Sequence, residues 1–347
     1  MSRMWLKNGR AVLADGRAVL CDECPCDQGC RYTYYVDHSL ATSGDGHSWE
    51  TAFKSVNDVF NSLEIYNYCR VEACTIYVKI KGEISYKITG NYYSGNASFG
   101  AVWLQPENDS SRVTINGESL ISSDWLDNLT MNLISRPVVF DRVDFINNQG
   151  IASSCYYVTL KECNIYRIKN NAPSIQNRFD RGAIFVLGCE HCELIDCNIY
   201  VEINRTAWDG YDYYISALYG FHYSTITRCS ISVSFTASNA ASARYVYIST
   251  IEQMHDSIIE NVSGVLSCSI SGSGPRSVTV SLFSSFSNCV VSDSTSAHNL
   301  NIPSPLYITT ICRFRYAESR VNTFYNCEQY CYRDDNAECA DCPDIIS

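Results

Sequence analysis

A short alternation of apolar and polar positions recurs along the second half of this chain. Each copy has an apolar residue, two mostly polar residues, then Cys, Asn or Val, then any residue, and usually a second apolar residue. The copies are Phe140–Phe145, Leu160–Ile165, Leu194–Ile199, Ile226–Ile231, Ile258–Ser263, Phe286–Val291 and Phe324–Cys327. From Cys163 to Cys327 the spacings are 34, 32, 32, 28 and 38 residues. A repeat of this length predicts a solenoid or a propeller.

A second pattern, after a predicted strand at Tyr34–Asp37, has the period of an α-helix. The apolar residues of one helical face would be Trp49, Ala52, Phe53, Val56, Val59, Phe60 and Leu63. Ser48 is the predicted N-cap, because its hydroxyl can accept a hydrogen bond from a free N–H of the first turn. We therefore predict a helix over residues 48–64 that covers the open end of the solenoid.

This entry segment resembles that of right-handed parallel β-helix proteins of the pectate-lyase-like superfamily, which includes adhesin-like and phage tailspike-like members. The resemblance lies in Tyr35–Asp37, Ser43–Gly46 and Ser48–Val56, and it extends over roughly residues 32–327. It implies an all-β fold, a right-handed parallel β-helix solenoid with an N-terminal capping helix. It implies little about function, because one solenoid architecture supports many activities.

The chain divides into three predicted parts. Residues 1–31 form a hairpin arm with a Cys cluster, since Asp15-Gly16 separates two Arg-Ala-Val-Leu runs and is a strong hairpin turn signal. Residues 32–326 form the β-helix. Residues 327–347 form a Cys-rich C-terminal tail.

Composition limits the classes of partner. The 347 residues carry 26 basic and 37 acidic side chains, a net charge of −11, which disfavours a nucleic-acid surface. No apolar run reaches the length of a membrane span. Because the first residues lack the apolar core of a signal peptide, we expect synthesis in the cytoplasm. A role on a virion or an extracellular surface would then require another route out of the cell.

The 19 cysteines fall into two groups. Those inside the repeat, such as Cys163 and Cys197, are predicted to be small buried side chains. Eight others crowd the two ends of the chain: Cys21, Cys24, Cys26, Cys30, Cys327, Cys331, Cys339 and Cys342. Four thiolates can bind zinc tetrahedrally, so these end clusters are candidate zinc sites, and disulfides or free thiols are the alternatives. An iron–sulfur cluster held by the same thiolates is a further alternative.

The residue before each repeat cysteine is predicted to lie on the outer surface. This column contains Arg142, Glu162, Asp196, Arg228, Glu260, Asn288 and Asn326. Glu162 and Asp196 could form the carboxylate pair of a glycan-cleaving site, with Arg228 beside them. The alternative is a charge-balanced surface column without catalytic function.

Aromatic residues predict a glycan-binding surface. The candidates lie in and after one polar loop: Trp208, Tyr211, Tyr213, Tyr214 and Tyr245. Tyr and Trp provide large, amphipathic contact areas. The alternative is that these rings only pack against each other from coil to coil.

Three functions remain open, of which the third is a metal or redox module built on the end clusters of cysteines. The first is a non-enzymatic structural or receptor-recognition protein of a phage-like particle or cell surface, which binds a cell-surface polysaccharide or other particle proteins. The resemblance to tailspikes implies a homotrimer. The alternative is a polysaccharide hydrolase or lyase that uses carboxylates on an outer face of the β-helix.

Overall fold

The structure is a computed structural model that describes part of the chain. The described residues are 12–14, 17–19, 31–65, 75–86, 88, 102–117, 138–146, 152–153, 157–170, 179–180, 185–186, 189–205, 213–238, 245–271, 277–287, 289–301, 308–316, 323–325 and 331–332.

One helix and 29 strands are described. The first part contains β1 (Val12–Ala14), β2 (Arg17–Val19), β3 (Arg31–Asp37), α1 (Val56–Ile65), β4 (Thr75–Lys81), β5 (Glu83–Ile84), β6 (Val102–Pro106), β7 (Val113–Asn116), β8 (Val138–Asp141) and β9 (Val143–Ile146). The middle contains β10 (Ala152–Ser153), β11 (Val158–Lys161), β12 (Asn164–Asn170), β13 (Phe179–Asp180), β14 (Phe185–Val186), β15 (Cys189–Glu190), β16 (Glu193–Ile195), β17 (Asn198–Arg205), β18 (Tyr213–His222), β19 (Thr225–Thr227) and β20 (Ser230–Ser238). The last part contains β21 (Tyr245–His255), β22 (Ile258–Glu260), β23 (Ser263–Ser271), β24 (Ser277–Ser287), β25 (Val290–Ser292), β26 (Thr295–Asn301), β27 (Ile308–Tyr316), β28 (Thr323–Tyr325) and β29 (Cys331–Tyr332).

Successive coils stack to form three parallel sheets. Sheet 1 has ten described strands in the order β28-β25-β22-β19-β16-β11-β8-β6-β4-β3. Sheet 2 has eight, from β26 to β5, and sheet 3 has nine, among them β18, β21, β24 and β27. A chain that returns to each sheet once per coil, with parallel pairing, is a parallel β-helix. This confirms the predicted right-handed β-helix fold.

The core is a set of columns of equivalent apolar side chains. Ile165 pairs in register with Ile199, and Ile199 pairs with Ile231, and all three are at most 2% exposed. Neighbouring strands are about 4.8 Å apart, so each apolar side chain packs on its equivalent in the next coil. The repeating sequence is therefore explained by the stacking of coils.

Two bends connect the short strands of sheet 1 to the other sheets. Corner A joins sheet 1 to sheet 2, and its residues with positive φ are Arg142, Glu162, Asp196, Arg228, Asn261 and Asp293. Corner B joins sheet 3 to sheet 1, and its residues with positive φ are Tyr157, His191, Tyr223 and Asp256. Left-handed backbone is unfavourable for such residues. At each corner, N–H groups of these residues donate to carbonyls of the next coil, for example Asp196 N to Thr227 O at 3.1 Å.

On most described coils a small Cys or Ser follows the left-handed residue, and its side chain stabilises the bend; Val143, Val158 and Val262 are the exceptions. Cys197 Sγ donates to the carbonyls of Leu160 and Ile195, both at 3.3 Å. At corner B, Ser224 Oγ donates to His222 O at 2.7 Å. The repeat cysteines therefore act as buried hydrogen-bonding residues of the bend, and the predicted burial is confirmed.

Two copies of the repeat were aligned wrongly. Val262, rather than Asn261, occupies the position of Cys229, because Ser230 pairs with Ser263. Asn261 and Asp293 therefore belong to the outer column of corner A, and Glu260 does not. Cys289 belongs to corner B, next to Ser257. Because most coils of both corners use a left-handed residue followed by Cys or Ser, the local sequences of the two corners are alike, and the repeat pattern alone does not distinguish them.

The prediction that the helix begins at Trp49 is wrong, because α1 begins at Val56. The chain before it is held against β3, where Phe53 N donates to Tyr35 O at 2.8 Å. The N-cap is Ser55, whose Oγ accepts from Asp58 N while Asp58 Oδ2 accepts from Ser55 N, both at 3.1 Å. The predicted apolar face is nevertheless buried at Ala52, Phe53, Val56, Val59 and Phe60.

The N-terminal hairpin forms as predicted. β1 and β2 pair antiparallel, and Ala14 is opposite Arg17, so two residues connect the strands. The division into arm, β-helix and tail at residues 31 and 326 stays a prediction.

Candidate functional site

Sheet 1 presents a narrow outer face between the two corners. On one coil, four residues separate His191 at corner B from Asp196 at corner A, so the face is about 16 Å wide. On the next coil, the side chains of Thr225 and Thr227 are partly exposed there. The face continues from coil to coil, parallel to the solenoid axis, and its shape suits an extended ligand.

Corner A carries the predicted residues Glu162, Asp196 and Arg228 on three successive coils. Arg228 donates from Nε to Asp196 Oδ1 at 2.6 Å and from Nη2 to Asp196 Oδ2 at 2.8 Å. These hydrogen bonds hold the pKa of the Asp196 carboxyl below its usual value. A carboxyl group held in its ionised form is poorly suited to donate a proton. The catalytic roles of the three residues stay predictions.

A carboxylate that the sequence did not single out lies beside this column. Asp141, at the end of β8, is 6% exposed, and no hydrogen bond reaches its Oδ1. Arg142 Nε is 3.7 Å and Lys161 Nζ is 3.8 Å from that oxygen. Two cations therefore surround a carboxylate that is almost removed from water.

Lys161 connects Asp141 to the predicted residue Glu162. Its Nζ is 3.8 Å from Asp141 Oδ1 and 3.5 Å from Glu162 Oε1, so these two carboxylate oxygens are at most 7.3 Å apart. The same Nζ lies 6.0 Å from the ring centroid of Trp103. Asp141, Lys161, Glu162 and Trp103 form one group, which we call the Asp141 cluster.

The sequence contained a signal for Asp141. It directly precedes Arg142 in the weakest copy of the repeat, and Lys161 is its in-register partner on β11. Asp141 and Lys161 each directly precede a residue of the outer column, so this position in the repeat identifies the acid–base pair. Its burial could not be inferred, since a charged residue at an outward strand position is normally exposed.

Corner B carries a stack of aromatic rings. Tyr157 stacks on His191 with ring centroids 5.0 Å apart, and His191 stacks on Tyr223 at 5.3 Å. Tyr157 is 48% and Tyr223 55% exposed. Beside the stack, His222 and His255 are in register, with centroids 4.7 Å apart. The face of sheet 1 is therefore bounded by charged side chains at corner A and by aromatic rings at corner B.

The predicted glycan-binding residues are only partly described. Tyr214 stacks on Tyr247 in sheet 3, with centroids 4.7 Å apart and planes at 2°. This is the coil-to-coil packing predicted above as the alternative for these rings. Tyr213 and Tyr245 lie in β18 and β21, while Trp208 and Tyr211 lie outside the described residues.

The end clusters of cysteines stay predictions. Of the eight candidates, only Cys331 lies in the described part of the chain, in β29 opposite Cys312 of β27. Within that part, no group of three or more His, Cys, Asp or Glu side chains is arranged to hold a metal ion. No helix there is both long and apolar enough to cross a lipid bilayer.

Comparison with known proteins yields only distant structural similarity. No protein-family model matches the chain, and no match was found among curated proteins. Among solved structures, the chain is similar to the pectin methylesterase from Aspergillus niger in its deglycosylated form, with 13% identity, a TM-score of 0.32 and 87% of each chain covered. A second structure of that enzyme, with an N-acetylglucosamine stub at one asparagine, gives 13% identity and a TM-score of 0.30 over 88% of this chain and 86% of that one. Similarity at this level says nothing about activity.

Proposed function

We propose that this protein binds and cleaves a linear polysaccharide on the outer face of sheet 1. The observation that carries the proposal is the Asp141 carboxylate, which is 6% exposed and accepts no hydrogen bond at Oδ1. A buried carboxylate oxygen without a hydrogen bond is costly to stability. An unsatisfied buried polar group in a folded protein is one of the signs of a catalytic role.

Asp141 and Glu162 provide the two carboxylates that glycoside hydrolysis requires. Their separation of at most 7.3 Å is compatible with the retaining geometry of about 5–5.5 Å and with the lower end of the inverting range, about 6.5–9.5 Å. Glu162, with a side chain that is 46% exposed, is placed to exchange a proton with the glycosidic oxygen. Asp141 would stabilise the positive charge that develops on the sugar ring as the glycosidic bond breaks. A water molecule would then add to the anomeric carbon and return a proton to Glu162.

The remaining members of the cluster have supporting roles. Lys161 contacts both carboxylates and keeps them in position. The Trp103 ring, which is partly exposed on β6, offers an apolar face on which a sugar ring can pack. The neighbouring coils extend this surface along the axis, which suits a polymer better than a small molecule.

The test measures release of reducing ends from neutral, acidic and amino-sugar polysaccharides. Asp141→Asn and Glu162→Gln should each lower kcat by about 10²-fold or more. The matched control is Glu202→Gln, because this carboxylate lies on sheet 2 and bonds to Tyr200 and Asn204. Failure to cleave any polysaccharide, or full activity of Asp141→Asn, would overturn the proposal.

A second candidate function is recognition of a glycan without cleavage. The exposed stack of Tyr157, His191 and Tyr223 favours it, since exposed aromatic rings are typical of binding surfaces. Binding of a polysaccharide without any release of reducing ends would support this function over the first. Location on a particle or cell surface, particle-protein partners and a homotrimer stay predictions.

A further inference from the structure

The outer face of sheet 1 becomes acidic beyond the Asp141 cluster. On the coils of β16, β19 and β22, the described charged side chains on this face and its two corners are Glu190, Glu193, Asp196, Arg228, Asp256 and Glu260. The only cation among them, Arg228, is engaged by Asp196 through two hydrogen bonds. This part of the face therefore has a clear excess of negative charge.

Aromatic rings lie at the edge of the same surface. Glu193 is two residues from His191, whose ring is stacked between Tyr157 and Tyr223. Glu190 directly precedes His191 and is in register with His222. Carboxylates next to exposed tyrosine rings are a combination that binds cations, because the ring face and the carboxylate both attract positive charge.

We propose that the glycan bound on this face carries free amino groups, which are partly protonated at neutral pH and fully protonated in mildly acidic solution. The inference rests on the proposed function, since it places the ligand on the outer face of sheet 1. Along the axis, ammonium groups of the polymer would meet Glu193 on β16 and Glu260 on β22, while other sugar units lie over the Asp141 cluster. The tyrosine rings of corner B would contact ammonium groups and the apolar faces of the sugars.

A polymer of sugar acids fits this surface poorly. Each of its carboxylates would approach Glu190, Glu193 or Glu260, and two like charges 4 Å apart repel by about 1 kcal/mol even in water. The net charge of the chain, −11, adds a long-range repulsion. An uncharged polymer could donate hydrogen bonds from its hydroxyl groups to these carboxylates, but it would gain no attraction between opposite charges.

The test uses calorimetry to measure how tightly three hexasaccharides bind to the full-length protein. Their sugar units are glucosamine, N-acetylglucosamine and galacturonic acid, respectively. The Asp141→Asn variant is used, so that cleavage during the measurement is slow. The glucosamine oligomer should bind at least about tenfold more tightly than the other two, and 0.5 M salt should reduce that advantage. A double variant, Glu193→Gln with Glu260→Gln, should lose most of the preference for the glucosamine oligomer. Glu202→Gln on sheet 2 should retain that preference.

The outcomes separate this inference from the proposed function. Equal or tighter binding of the neutral or acidic oligomer would overturn the inference, even if the wild-type chain cleaves that polymer. Preferential binding of the glucosamine oligomer without cleavage by the wild type would support the inference and overturn the proposed enzymatic function. Thermal unfolding of each variant checks that it is folded, and Tyr223→Ala provides an independent second test with the same expected loss.

Discussion

Arg228 binds Asp196 across two adjacent coils through two nearly parallel hydrogen bonds, Nε to Oδ1 at 2.6 Å and Nη2 to Oδ2 at 2.8 Å. The pair spans the hydrogen-bonding direction of sheet 1 at corner A. It therefore adds a side-chain connection between coils to the backbone ladder. This arrangement is the bidentate geometry in which arginine binds carboxylates most strongly.

The pair should make stability depend on pH. The pKa of Asp196 is lowered in the folded state, so its stabilising contribution is present above the unfolded pKa of about 3.9 and is lost as the pH falls through the folded value. We expect Asp196→Asn to be less stable than wild type at pH 7 in urea unfolding. The difference should shrink below about pH 4 and in high salt, because the Asp196 side chain is 38% exposed.

Arg228→Gln is the matched control for this pair. It should lower the free energy of unfolding at pH 7 by a similar amount. The double variant should be no less stable than either single variant. A difference between Asp196→Asn and wild type that stays constant down to pH 2 would contradict the assignment.

The start of α1 can be tested with two serine variants. Ser55 bonds reciprocally with Asp58 at the first turn, so Ser55→Ala should lower the free energy of unfolding by about 1 kcal/mol. Ser48→Ala should cost much less, because Ser48 caps only an exposed turn through Thr51 N at 3.2 Å. Chemical unfolding followed by circular dichroism measures both, and equal losses would contradict the observed helix start.

Gly46 should tolerate no side chain. Its φ is +76°, and a Cβ added there would lie 2.3 Å from the ring of Phe53. Gly46→Ala should therefore destabilise the first coil by at least about 1–2 kcal/mol, measured as a lower unfolding midpoint. Gly82→Ala is the comparison, since φ is also positive there but the nearest atom, in His38, is 3.4 Å from an added Cβ. Gly82→Ala should lower the unfolding midpoint less than Gly46→Ala does.

The buried thiols should resist modification. Burial raises the pKa of Cys268 to about 12, so little reactive thiolate is present at neutral pH. The described cysteines share this burial: Cys163, Cys189, Cys192, Cys197, Cys229, Cys268 and Cys289. Iodoacetamide labelling mapped by peptide mass spectrometry should modify these residues only after unfolding. Rapid labelling of Cys268 in the native protein would contradict its place in the core.

Much of the fold could be predicted from the repeat, because each copy places the same apolar residues in the core. The exact register could not, since corner B at Cys289 uses the same local chemistry as corner A at Cys229. The helix start was missed because the backbone of Phe53 pairs with β3, a tertiary contact that overrides the helical pattern.

The candidate site was predicted less completely than the fold. The outward column correctly contained Glu162, Asp196 and Arg228, because alternation along a strand determines which side chains face out. It did not reveal that Asp141 is buried and close to Lys161. Which outward residues are shielded from water depends on long-range packing, and a local pattern does not contain that information.

The even spacing of corner A makes the chain modular. Glu162, Asp196, Arg228, Asn261 and Asp293 follow one another at 34, 32, 33 and 32 residues, and each coil contacts mainly its neighbours. Excising residues 197–228 would join Asp196 directly to Cys229 and leave every remaining column in register. Such a molecule would present a shorter ligand face with the Asp141 cluster intact, so the length of polymer it accommodates can change by whole coils without redesign of the fold.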